Sequence, residues 1–137
     1  MERIRHIAIS SDHPGKAADY YKSAFGWHEL GRFGLDGDPD VAPRPSGVFL
    51  TDGALNIALL KFSRDQAGHG LAYEGIHHIG VHVPDLATAR ADIEALGTPC
   101  IAGLDEVPPG AHQEIKFRGA ANVVFDIADI PWPGTRD

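Results

Sequence analysis

The chain has 137 residues, of which 43% are hydrophobic and 23% charged, a balance that suits one globular domain and excludes intrinsic disorder. Its 12 Lys+Arg against 19 Asp+Glu give a formal net charge of -7, which argues against a nucleic-acid partner, because such binding is driven by cationic surface. The single Cys100 excludes a disulfide framework and a cysteine-rich metal site, and no run approaches the ~20 apolar residues of a membrane span.

In chain order, Met1–Arg5 carries no apolar signal-peptide core, so a cytoplasmic protein without a membrane partner is expected. His6-Ile7-Ala8-Ile9 opens a strand, and a Pro/Asp turn follows with Asp12 as the expected helix N-cap. Ala17, Tyr20, Tyr21, Ala24 and Phe25 then recur at helical spacing, which places both tyrosines in the core stripe, and Gly26 stops the helix. Strand-like runs come at roughly His28–Phe33, Gly47–Asp52 and Leu55–Phe62, with a Gly/Pro/Asp-rich loop over Gly34–Ser46.

Residues 63–75, with three glycines, read as a linker. Beyond it the pattern repeats. His78-Ile79-Gly80-Val81 matches the first strand 72 residues on, followed by Asp85 as N-cap, a helix on Leu86, Ala89, Ile93 and Leu96, and a stop at Gly97. Strands are expected at roughly Cys100–Leu104, Glu114–Arg118 and Val123–Ala128, with a loop at Asp105–Ala111. The organisation is a βαβββ module over 1–62, the linker, and a second βαβββ module over 76–130, all within one domain spanning 1–137. Neither half buries its sheet alone, so the two should build one α+β structure.

The strand period of two assigns side chains to faces. Ile7 and Ile9, Ile57 and Leu59, Ile79, Val81 and Val83, and Val123, Phe125 and Ile127 form apolar sets expected under the helices. The opposite face carries the small residues Ala8, Ala58 and Gly80 with His6, His78, His82 and Asp126. Small residues leave a hollow, and the polar ones furnish it. Any one of these histidines alone reads as a core residue bonded to a carbonyl. Two imidazoles and a carboxylate on repeat-related strands instead point to a divalent Fe, Mn, Ni, Co or Zn ion with positions left for substrate.

These strings and the βαβββ order resemble the vicinal oxygen chelate superfamily, which includes glyoxalase I, extradiol dioxygenases, methylmalonyl-CoA epimerase and bleomycin-resistance proteins. The resemblance implies two βαβββ modules curled into a cup around a metal held by His6, His78 and Asp126. It also implies a homodimer and a small-molecule substrate that chelates through adjacent oxygens. The turn Gly119-Ala120-Ala121-Asn122 stands where the family commonly has one ending in Gly, with the acidic ligand four residues on, here Asp126 in place of the more usual Glu. The fourth ligand of glyoxalase I-like members maps to Ala58, or to Asn56 if the register differs by two. A methyl group cannot ligate, so the set is similar to the three-ligand pattern of the extradiol dioxygenases. The implied activity is a glyoxalase- or dioxygenase-like lyase, isomerase or oxygenase. The alternative is a metal-free, bleomycin-resistance-like binding protein.

The remaining candidates are read more plainly. His82 lies four residues beyond His78 on the proposed cup face and is a candidate acid/base. Alternation points His77 to the other face. His112 reads as an exposed loop histidine able to close over substrate. Lys116 and Arg118 alternate with Ile115 and Phe117, which gives a solvated strand face or a seat for an anionic substrate.

Overall fold

A computed structural model of the protein describes residues 1–37, 41–103 and 111–136. The expected Asp105–Gly110 part of the second loop, and Leu104 at the end of its preceding strand, lie outside the described residues. The elements are β1 (Arg3–Ser10), α1 (Pro14–Phe25), β2 (His28–Phe33), β3 (Ser46–Thr51), β4 (Asn56–Lys61), β5 (Gly75–His82), α2 (Leu86–Ala95), β6 (Cys100–Ala102), β7 (Ile115–Arg118) and β8 (Val124–Ala128). The βαβββ order therefore occurs twice.

Among the described residues eight strands join one open mixed sheet in the order β2-β3-β4-β1-β5-β8-β7-β6. β1 runs parallel to β4, β5 runs parallel to β8, and β1 and β5 meet antiparallel at the seam between the halves. The arrangement is symmetric about that seam. α1 covers Val48, Leu50, Ile57 and Leu59 with Ala18, while α2 lies over Val83, Ile115, Phe117 and Ile127. These apolar sets alternate with the cup-facing residues, as the period of two requires.

The ends of the helices depart from expectation at one place. Asp85 caps α2 by accepting from the Thr88 amide at 2.9 Å. The residue before α1 is His13, without a side-chain cap; the helix starts at Pro14, whose fixed φ suits the first helical position, which leaves Asp12 one residue short of the cap position. Asp12 instead lies 3.6 Å from the Arg44 guanidinium. Tyr20 is exposed while Tyr21 packs on the core, because consecutive helical residues point about 100° apart. Among the described residues no helix is long and apolar enough to cross a membrane.

Two bulges interrupt the seam. Ile4 pairs with Val81 and His6 with Gly80, so Arg5 is the extra residue in β1. Ala8 pairs with His78 and Ile9 with Ile76, so His77 is the extra residue in β5. Arg5 and His77 hold equivalent places in the repeat, each immediately before a cup-facing histidine. A bulge breaks strict alternation and re-aims side chains.

Candidate metal centre

His6 on β1, His78 on β5 and Asp126 on β8 converge on the inner face of the sheet, all three buried, with one donor atom from each lying within 4.8 Å of the others. The register explains the meeting. Gly80 pairs with His6 on one side and with Asp126 on the other, so the glycine sits between the two groups. A methyl group on Gly80 would stand 2.7 Å from Asp126 Oδ1, 2.7 Å from His6 Cβ and 2.8 Å from the Trp132 ring. Only hydrogen fits there.

Each imidazole is oriented through its second nitrogen. The Asn56 amide donates to the Pro133 carbonyl at 3.0 Å, which turns its oxygen toward His6 Nδ1 at 2.7 Å. His6 therefore carries its proton on Nδ1 and leaves the Nε2 lone pair open. His78 Nδ1 lies 2.8 Å from His77 Nδ1, and His77 is buried and stacked on Phe62 with ring centroids 4.1 Å apart. The expectation that His77 faces away is thus corrected: the bulge at this residue turns its ring to the same side as His78.

The donor set fits a divalent ion. His78 Nε2 and Asp126 Oδ1 are buried with no hydrogen-bond partner, and Asp126 Oδ2, 3.1 Å from His78 Nε2, has only the Lys116 ammonium at 3.3 Å. Such atoms are costly to bury without a partner, and a cation shared with His6 would satisfy all of them. Burial holds His78 neutral, its pKa pushed down to about 3, and likewise lowers that of His6. Burial and the nearby Glu114 carboxylate push Asp126 up to about 7. Neutral imidazoles bind metals directly, and a bound cation would return the acid to its ionised form.

Sequence reasoning missed the surroundings of these residues. Lys116 is buried, not solvated, because β7 pairs it directly with Asp126. Its Nζ lies 3.3 Å from Asp126 Oδ2 and 3.5 Å from Glu114 Oε2. Arg118 is half-buried, donating to the Ala67 carbonyl and to Asn122. Glu114 Oε1 accepts from Trp132 Nε1 at 2.8 Å and from His112 Nε2 at 3.0 Å. Burial raises the Glu114 pKa, but the His112 bond and the Lys116 charge outweigh it and hold the carboxyl well below its usual range. The signal for Glu114 and Lys116 was present, since both alternate with Ile115 and Phe117. Trp132 lies beyond the repeats and gave none. Its ring stacks on His6 at a 5.0 Å centroid distance and 3° between planes.

His6 and His78 of the cluster, with Glu114 and Lys116, line a cavity of about 550 Å³. Phe33, Phe49, Leu60 and Phe62 supply apolar wall, and His112 also borders the space. His82 is placed elsewhere. It does not line this cavity; it faces a separate hollow beside Met1, Arg3 and Arg5, with Nε2 3.2 Å from the Asp129 carbonyl. Ala58 pairs with Ala8 as Asp126 pairs with Gly80, which makes it the repeat equivalent of the acid.

The family model of the Glyoxalase/Bleomycin resistance protein/Dioxygenase superfamily matches residues 3–127. No curated protein sequence matches the chain. Among solved structures, a hypothetical protein from Bacillus halodurans is 23% identical with a TM-score of 0.69, covering 93% of each chain. A methylmalonyl-CoA epimerase variant from Streptomyces coelicolor, in complex with 2-nitronate-propionyl-CoA, is 16% identical with a TM-score of 0.72 over 98% of each chain. The methylmalonyl-CoA epimerase of Mycobacterium tuberculosis is 15% identical with a TM-score of 0.67, covering 95% of this chain and 88% of that one. These likenesses are of fold.

Proposed function

The chain belongs to the glyoxalase/bleomycin resistance protein/dioxygenase superfamily, and we propose that it is a metal-dependent enzyme whose His6, His78 and Asp126 hold a divalent ion. Fe, Mn, Ni, Co and Zn all suit this nitrogen and oxygen donor set. Bound there, such an ion would polarise a small substrate that chelates it through two adjacent oxygens. The observation that supports this reading is the group of three buried donors within 4.8 Å of one another, of which His78 Nε2 and Asp126 Oδ1 have no hydrogen-bond partner. The residues around them prepare the site. Asn56 and His77 fix the two imidazoles, Trp132 closes one side, and the aromatic wall excludes water from the reacting end. Proton transfer or oxygenation at the chelated substrate would give an isomerase, lyase or oxygenase.

A specific contact favours a second reading. The Lys116 ammonium already neutralises part of the acidic cluster, at 3.3 Å from Asp126. That arrangement also suits a metal-free protein binding a flat ligand against Phe33, Phe49 and Phe62. Metal content of protein purified without chelator separates the two. The enzyme reading expects about one ion per chain; less than about a tenth, with no gain on reconstitution, removes it. In a Trp27→Phe background, quenching of Trp132 by Co(II) would report binding at the stacked His6.

The half-exposed residues Ile7 and Ile79, with exposed Ile4 and Ile76, form an apolar strip at the seam on the face opposite the cavity. We propose that a second copy of the chain covers it, as a homodimer. Sedimentation of Ile76→Lys beside the native protein checks this, with a monomeric variant expected.

A further inference from the structure

We propose that the substrate is an organic anion whose carboxylate or similar group is received by Lys116 beside the ligand cluster, with its apolar body against Phe33, Phe49 and Phe62. This rests on the metal reading above and adds the charge class of the substrate to it. Lys116 is only 6% exposed, yet its side chain borders the cavity. A buried ammonium is costly unless compensated, so its partners decide what it can do.

Both partners have other claims on them. Asp126 Oδ2 lies 3.1 Å from His78 Nε2 and belongs to the proposed ligand set. Glu114 Oε1 holds the Trp132 and His112 rings, leaving Oε2 for Lys116 at 3.5 Å. Without an ion the two carboxylates at least balance the lysine, Glu114 alone being enough to offset it. A divalent cation reverses that balance and leaves positive charge in excess. His112 adds to it, because its hydrogen bond to Glu114 raises its pKa.

In a cavity walled by aromatic rings such an excess is poorly screened, and a ligand bearing negative charge is what offsets it. The cavity therefore gains its pull on anions from the ion: loading adds positive charge that the metal-free site does not have. By linkage, the anion and the ion should each tighten the other. The walls choose the rest of the molecule. Phe33, Phe49 and Phe62 accept a flat or branched apolar body, and about 550 Å³ accommodates a substrate of modest size.

The test uses Zn(II)-loaded full-length protein with salicylate and its neutral analogue salicylamide, by titration calorimetry. Zinc content is measured first. Native protein should prefer salicylate over salicylamide, and Lys116→Met should reduce that preference about tenfold or more with zinc content unchanged. Lys116→Arg, which keeps the charge, should retain it. Protein without zinc should show no preference for the anion. A Lys116→Met variant with the native preference, or native protein with none, overturns the proposal while leaving the metal reading intact. Failure to retain zinc removes the metal reading, and this inference falls with it.

Discussion

The Nδ1 atoms of His77 and His78 lie 2.8 Å apart, so two consecutive residues of one strand present their rings to the same side of the sheet. For His78 to offer Nε2 to an ion, its Nδ1 must carry the proton and donate it to His77 Nδ1. His77 is then a positioning group for a ligand. Outer-shell partners of this kind typically change metal affinity by about 10–100-fold. His78→Ala should abolish stoichiometric binding. His77→Ala should retain the ion with affinity lowered by about tenfold or more, read by competition against a calibrated chelator. Native affinity in His77→Ala would show that the ring contact orients nothing.

Gly80 separates His6 from Asp126, and any side chain there collides with both. Gly80→Ala should destabilise the protein by about 1–3 kcal/mol, the usual cost of overpacking, and should displace at least one ligand. Thermal unfolding and metal content measure the two effects. Gly31 on the sheet edge provides the control, because nothing lies within 4 Å of a methyl group built there. If Gly80→Ala matches Gly31→Ala in both measurements, the close packing around Gly80 is not what positions the ligands.

The buried histidines predict an acid-sensitive metal-free state. Burial and neighbouring His78 push His77 down to about 3, and burial does the same to His78, against an ordinary value of 6.5. The unfolded chain therefore takes up protons below about 6.5 that the folded chain refuses, so stability falls as pH drops toward 3. Asp126, raised from 3.8 to about 7, acts oppositely, and its contribution is lost as pH rises through that range. Between 3.8 and 6.5 the two histidines, joined by the lowered His6, outweigh the one acid. His112, with its raised value, contributes mainly above 6.5. The Tm of chelator-treated protein should thus be lower at pH 4.5 than at pH 6.5, and His77→Asn should lessen the drop. An equal or higher Tm at pH 4.5 would contradict the sign.

The duplicated histidine strings, the glycine-stopped helices and the two-residue alternation made the paired modules legible in the sequence. The same alternation located Ala8, Ala58 and Gly80 with His6, His78 and Asp126, because face assignment needs only local periodicity. It failed at His77, where a bulge adds one residue and the count of two no longer holds. It also puts Lys116, between Ile115 and Phe117, on the inner face, where only the pairing of β7 with β8 shows it to be buried.

Other features belong to the tertiary structure alone. Trp132 reaches His6 from a segment with no repeat counterpart, and Glu114 collects Trp132, His112 and Lys116 from separate places in the chain. His82 has the same parity as His78, yet it opens on a different hollow near the end of the strand. Parity along a strand tells which side a residue takes. How far along the sheet the cavity extends is decided by the curl of the strands and by what the C-terminal segment lays across them.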